Sequence, residues 1–232
     1  MKQSIVIYTD SNRKVNLAKC THWLQAMVNT KTAADTSTLK LNAKTKSKGN
    51  TMSRINLVTN ETATAEQAEL FSAIQSQLGM VPNFLKIFAH SPAALRAFLG
   101  LHGIANEGSL DAATRERIAL GLAEQSACEY CVSAHTALGK NAGLSGDEME
   151  ANRAGGSQDA KASAAVKFAR SLADNKGDVT TAELLEVRNA GYSESDIVEM
   201  ITHVGMNLLT NILGKASRVE IDFPKIELQT AS

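Results

Sequence analysis

The chain predicts an all-α fold, a bundle of several helices behind a separate N-terminal extension. Three observations carry this. Ala and Leu dominate after residue 60, while aromatic residues make up only 4% of the 232 residues and there are 3 Pro, a composition that favours helices. Helix-start signatures, with Ser, Thr or Asp ahead of an apolar run, recur along the body. The last long segment carries apolar residues at a helical period.

Each element has its own signal. Thr64 to Leu78 places Leu70, Phe71, Ile74 and Leu78 on one face, and Gly79 follows as a C-cap. Pro82 opens a short helix reaching Ala89. Ser91-Pro92 begins another that runs to about Asn106, with proline in the first turn. Leu110-Asp111 supplies an apolar staple and an N-cap for a helix to about Gln125. A helix rich in cysteine and alanine follows, as far as Lys140, with Gly143 as its stop. Ser145 caps a short helix near 147–151, and Ser157 to Ala173 forms the next. Thr180 with Glu183, and Ser193 with Asp196, are capping boxes for the last two. The final helix, about Glu194 to Lys215, is expected to bury Ile197, Ile201, Val204, Leu208 and Ile212. Val219 to Phe223 reads as a short extended tail.

Residues 1–51 read differently. They are rich in Lys, Ser, Thr and Asn, keep no sustained period, and end in the polar stretch Lys40–Thr51. They hold nine Lys/Arg against two Asp, which leaves 15 basic and 22 acidic residues for 52–232. The expected division is a disordered or non-native extension over 1–51 and one helical domain over 52–232, with Met52 as the natural start. Ser4–Tyr8 is too short for the apolar part of a signal peptide. Lys19 stands where a lipoprotein site before Cys20 needs a small residue, and one arginine is too few for a transit peptide. The acidic body argues against nucleic acid as a partner. No apolar run approaches the ~20 residues of a membrane span. Cytoplasmic placement is therefore expected.

Chemistry concentrates in Ser126-Ala127-Cys128-Glu129-Tyr130-Cys131-Val132-Ser133-Ala134-His135. A close cysteine pair in a reducing compartment reads as catalytic or metal-binding rather than as a structural staple. Ser126 with Glu129 reads as a capping box. Cys128, Cys131 and His135 then share one helical face at i, i+3 and i+7. The free N–H groups and dipole of the first turn favour a thiolate at Cys128. His135, one turn beyond Cys131, favours Cys131 instead. From the residues alone, either sulfur qualifies as the nucleophile.

Other readings carry less weight. The cysteines as plain core residues leave His135 without a purpose. A zinc site from Cys128, Cys131 and His135 needs a fourth ligand, Glu124 or His203, and no second C-x-x-C or H-x-H supplies one. Haem attachment needs His directly after the second Cys, where Val132 stands. His203, Asn207 and Asn211 form a polar stripe on the last helix, read as a solvated face in preference to a second pocket wall. His90 and His102 show no pattern.

Arg115-Glu116-Arg117, Cys128-Glu129-Tyr130-Cys131, His135 and Gly143-Leu144-Ser145 together resemble the alkyl hydroperoxide reductase D-like (AhpD-like) branch of the carboxymuconolactone decarboxylase superfamily. The spacing is specific: Glu, Cys twelve residues on, Cys three on, His four on. The resemblance implies an all-α fold that assembles as a trimer or hexamer. It implies a thiol peroxidase with no cofactor and no metal, acting on a hydroperoxide and recharged by a dithiol or thioredoxin-like reductant. Carried over, Cys131 is peroxidatic, Cys128 resolving, and Glu116 with His135 forms the proton relay. Ala112, Ala119, Leu120 and Ala123 share the face of Glu116, which reads as an inward-pointing carboxylate in preference to a solvated charge between two arginines. The family's founding enzymes carry His just before the second Cys. Tyr130 takes that place here as a possible relay, although a phenol of pKa near 10 carries protons poorly at pH 7. The alternatives are a cofactor-free lyase on the same fold, which does not rely on a cysteine pair, and a redox-sensing disulfide switch.

Overall fold

The computed structural model describes residues 53–229, so the expectations for 1–51, with Cys20 and Trp23, lie outside the described residues. Within 53–229 the elements are α1 (Ala65–Leu78), α2 (Asn83–Phe88), α3 (Pro92–Ala105), α4 (Ala112–Gln125), α5 (Glu129–Asn141), α6 (Gly146–Arg153), α7 (Ala160–Asp174), α8 (Thr181–Asn189) and α9 (Glu194–Ser217), with no strand among the described residues.

The caps explain most boundaries. Thr64, Thr180 and Ser193 each close a capping box, with Gln67, Glu183 and Asp196. Asp111 and Ser145 accept from the backbone N–H three residues on. Gly79 ends α1 at φ 68, in the left-handed region where a Cβ is costly. α7 starts three residues later than the sequence suggests. Asp159 caps it, because the Ser157 hydroxyl is taken by Glu148 at 2.5 Å. The segment after α9 forms no strand. It runs back across α2 and α5, tied by Asp222 accepting from Asn83 N at 2.7 Å and by Ile226 N donating to Ser133 Oγ at 3.0 Å.

α4 is the spine of the bundle, packed against α5, α6, α7 and α9. Its Ile118, Leu120 and Leu122 are fully buried. Each such side chain contributes about 1.5–3 kcal/mol on burial. Ile118 and Leu122 join Phe168, Leu172, Ile197, Met200 and Val204 in one apolar cluster. On the other side of α4, Ala123 joins a second cluster built on Ile74, Leu85, Leu95, Phe98 and Val132. The α4–α5 turn thus emerges from between two cores.

α9 departs from expectation. Ile197 and Val204 are buried, but Ile201 is 48% and Ile212 65% exposed. The helix is rotated so that His203, Asn207 and Asn211 face inward in their place. Apolar side chains consequently surface on α9 (Val198, Ile201, Leu209, Ile212) and on α3 (Leu101, Ile104). No described helix is long and apolar enough to cross a membrane.

Candidate active site

The cysteine turn has a different local structure from the capping box expected of Ser126 and Glu129. Ser126 is the C-cap of α4, and its hydroxyl accepts from Asn211 Nδ2 at 3.2 Å. Ala127 adopts φ 50. Its N–H bonds Glu124 O at 2.8 Å, and Cys128 N–H bonds Ala123 O at 3.0 Å. This is a Schellman ending with alanine in the left-handed position. The N-cap of α5 is Cys128 itself, whose sulfur accepts from Cys131 N at 3.3 Å. The chain reverses within three residues, so Ser126 is used up in ending one helix and Cys128 must begin the next. Only Cys131 and His135 therefore lie on the helical face expected of three residues.

The two sulfurs are joined as a disulfide, with Cα atoms 5.2 Å apart, inside the usual range for such a bridge. Both cysteines are buried. Gly214 of α9 lies directly against them, where an added Cβ would stand 2.9 Å from Cys128 Sγ and 3.5 Å from Cys131 Sγ. A bonded sulfur has no room to retreat. Gly214→Ala is therefore expected to destabilise the oxidised protein by about 1–3 kcal/mol, as overpacking does, and the reduced protein by less. Melting temperatures with and without reductant measure the difference.

Cys131 opens on a cavity of about 70 Å³ lined also by Glu116, His135, Arg115, His102 and His203. On a scale where about 150 Å³ holds benzene, this is room for a molecule of a few heavy atoms. Glu116 Oε2 accepts from His135 Nδ1 at 2.8 Å across the α4–α5 contact. That bond fixes the neutral imidazole as the Nδ1–H tautomer and leaves Nε2 as a base. The structure thus brings Glu116, His135 and Cys131 to one cavity.

Tyr130 forms the outer wall. Its hydroxyl donates to Asp222 Oδ1 at 2.9 Å and accepts from Phe84 N at 3.3 Å, and its ring stacks on Phe84. Burial first, and Asp222 second, push its pKa well above the usual phenol value. The geometry gives Tyr130 the task of clasping the C-terminal segment, with its proton committed to Asp222.

Several cavity residues escaped the sequence. His102 is buried, and desolvation, reinforced by His203, His135 and Arg115, lowers its pKa to about 3. His203 is also buried and shifted downward, by burial and then by Arg115. Its Nε2 has no hydrogen-bond partner. The polar stripe of α9, read as a solvated face, is instead an inner wall. His203 and Asn207 line the cavity, and Asn211 donates to Leu122 O and Ser126 Oγ, bracing the cysteine turn. Its spacing was visible, but the direction it faces depends on how α9 packs. Glu124, the possible fourth zinc ligand, pairs instead with Arg153 Nε at 2.7 Å. Among the described residues no group of three or more His, Cys, Asp or Glu could hold a metal ion.

Comparison with known proteins bears on the fold around this site. The model of the carboxymuconolactone decarboxylase family matches residues 92–175, which include α3 to α7 and the whole cysteine turn. No curated protein matches the chain. An uncharacterized peroxidase-related protein from Silicibacter sp. TM1040 is 24% identical, over 75% of this chain and 94% of its own, with a TM-score of 0.66. An uncharacterized peroxidase-related protein with an alkylhydroperoxidase AhpD core, from Ralstonia eutropha JMP134, is 20% identical over the same shares, with a TM-score of 0.67. The debrominase Bmp8, solved as a cysteine-to-alanine variant with 2,3,4-tribromopyrrole, is 17% identical over 72% of this chain and 91% of its own, with a TM-score of 0.60. At these identities the likeness establishes a shared fold.

Proposed function

We propose that this chain, whose residues 92–175 match the model of the carboxymuconolactone decarboxylase family and whose domain shares the fold of an AhpD-core protein, is a thiol peroxidase. It reduces small hydroperoxides through a Cys131–Cys128 dithiol–disulfide cycle. The observation that carries the reading is the asymmetry of the pair. Cys131 shares its cavity with the Glu116–His135 couple, and Cys128 does not.

The chemistry runs in two steps. With the pair reduced, His135 Nε2 takes the Cys131 proton, and Glu116 steadies the imidazolium across Nδ1. The thiolate attacks the terminal oxygen of ROOH. The O–O bond breaks, ROH leaves with the proton returned by His135, and Cys131 becomes a sulfenic acid. Cys128 then attacks the Cys131 sulfur and water leaves, closing the disulfide. Two electrons from an external thiol reductant reopen it. The enzyme needs no metal or organic cofactor, and a cytoplasmic, reducing setting suits the cycle. Self-association as a trimer or hexamer belongs to the same reading. The exposed apolar residues of α3 and α9 support it.

The test is direct. Reduced protein given one equivalent of a small hydroperoxide should lose both thiols as one intramolecular disulfide. With excess dithiothreitol it should consume peroxide over many turnovers. Thiols that survive excess peroxide would sink the proposal and return the lyase reading. Disulfide formation without turnover would make the pair a redox-sensing switch.

A further inference from the structure

The two sulfurs of the disulfide open on different sides of the protein. Cys131 lines the small cavity of about 70 Å³, whereas Cys128, itself buried, is among the residues lining a separate, open groove of about 830 Å³ between the N-terminus of α5 and the C-terminal segment. Tyr130 stands between the two spaces and lines both, held in place by its bonds to Asp222 and Phe84. The groove is rimmed by four exposed cations, Arg54, Lys215, Arg218 and Lys225, against two carboxylates, Glu129 and Glu220. Among these described residues only Lys225 lies near one of the two acids, 3.6 Å from Glu129. The size of the groove falls within the range of small-molecule sites.

We propose that this groove is the entry for the reductant, a low-molecular-weight thiol carrying an anionic group close to its sulfur, and that Cys128 is the sulfur it attacks. The step balances as ordinary thiol–disulfide exchange. The incoming thiolate bonds Cys128 Sγ, the Cys128–Cys131 bond breaks, and Cys131 departs as a thiolate. A second thiolate attacks the incoming sulfur of the mixed disulfide and carries it off as the external disulfide. Cys128 leaves as a thiolate and takes a proton from water. The two external thiols are oxidised by two electrons and the protein pair is reduced by two.

The consequence is a division of labour across Tyr130. The leaving sulfur of the reductive step is the one that faces the peroxide cavity, so reduction from the groove side regenerates the nucleophile where peroxide arrives. Reductant and peroxide need not compete for one opening. The cations act on the approach of a negatively charged thiol, an effect that raises association rates by about 10-fold or more at low ionic strength. The inference rests on the peroxidase reading only in requiring that the disulfide be reopened. Its test uses no peroxide.

Oxidised protein would be mixed with 2-mercaptoethanesulfonate or with neutral 2-mercaptoethanol, at equal thiolate concentration and low salt. The reaction is quenched with acid, and the mixed disulfide is mapped by mass spectrometry. The expected adduct lies on Cys128, and the anionic thiol reacts about tenfold faster. In Lys215→Glu/Lys225→Glu the ratio of the two rates should fall to about one. A wild-type measurement gives the same information if that variant folds poorly. Raising salt from ~0.01 to ~1 M, which shortens the screening length from about 30 to about 3 Å, should collapse the ratio in the same way. An adduct on Cys131, a ratio near one in the wild type, or a ratio that survives both charge reversal and high salt would overturn the assignment. Failure of the peroxidase reading would show separately, as reduced protein that peroxide does not reoxidise.

Discussion

In a Cys131→Ser chain, peroxide consumption is expected to fall to the uncatalysed rate. That change removes the one thiol that lines the cavity shared with Glu116 and His135. Cys128, capping α5 on the opposite side, has the stronger helix-terminus effect but no base beside it in the cavity. Cys128→Ser should behave differently. Attack at Cys131 remains possible, but no partner sulfur closes the bridge. That variant should consume about one equivalent of peroxide and stall as a sulfenic or over-oxidised acid. His135→Ala should slow the first step by about 10²-fold or more, the usual worth of a positioned base, while leaving disulfide closure possible. Mass spectrometry after one equivalent of peroxide decides. A trapped sulfenic acid on Cys128 in Cys131→Ser, with none on Cys131 in Cys128→Ser, would reverse the roles. The helix-terminus effect would then outweigh the histidine.

Glu148→Gln is expected to be the most destabilising single polar change in the bundle, by about 3–5 kcal/mol near neutral pH, the range for a broken buried pair. Glu148 is buried at the start of α6. Its carboxylate accepts from Arg117 Nε at 2.7 Å, Asn152 Nδ2 at 2.9 Å, Ser157 Oγ at 2.5 Å and Gln158 N at 2.8 Å. It ties α4, α6 and the turn before α7 together. The glutamine amide cannot replace the charge and turns a donor toward one of these groups. Arg117 is left as a half-buried cation without its anion, the situation that makes broken buried pairs costly. Against a total stability of about 5–15 kcal/mol for a domain, the loss is large.

The pH dependence gives an independent check. Burial opposes the charge on Glu148, but the hydrogen bonds from Ser157, Asn152, Gln158 and Arg117 outweigh it and hold the pKa at about 2, against an ordinary value of 4.5. The folded state thus binds this proton less readily than the unfolded chain. Its stabilising effect, about 3 kcal/mol for this shift, is fully present above pH 4.5 and is lost as pH falls toward 2. The stability gap between wild type and Glu148→Gln, from urea unfolding, should therefore be widest above about pH 5 and narrow steadily below it. A gap that stays constant down to about pH 2 would show that packing, not charge, sets the loss.

The helical class, most helix boundaries and the make-up of the reactive turn follow from the order of the residues alone. Those depend on local chemistry. Thr64, Asp111, Ser145, Thr180 and Ser193 cap helices wherever the chain goes next, because their oxygens reach backbone N–H groups three residues away. The pairing of Cys131 with His135 was legible too, since they lie one turn apart on α5; Glu116 joined them only through the resemblance to AhpD-like proteins, and its contact with His135 came from the packing of α4 on α5. Tertiary structure decided the rest. Ser126 was a plausible cap, yet the reversal between α4 and α5 used it to end one helix and made Cys128 begin the other. Ser157 was drawn from its cap to Glu148 by packing of α6 on α4. The stripe His203, Asn207 and Asn211 looked solvated, and Ile201 and Ile212 looked buried. Both were inverted by the rotation of α9, which Gly214 permits by letting the helix lie against the disulfide. Periodicity tells which residues share a face. Which way that face points depends on what the rest of the chain places beside it, and here that was a polar cavity and a cysteine pair.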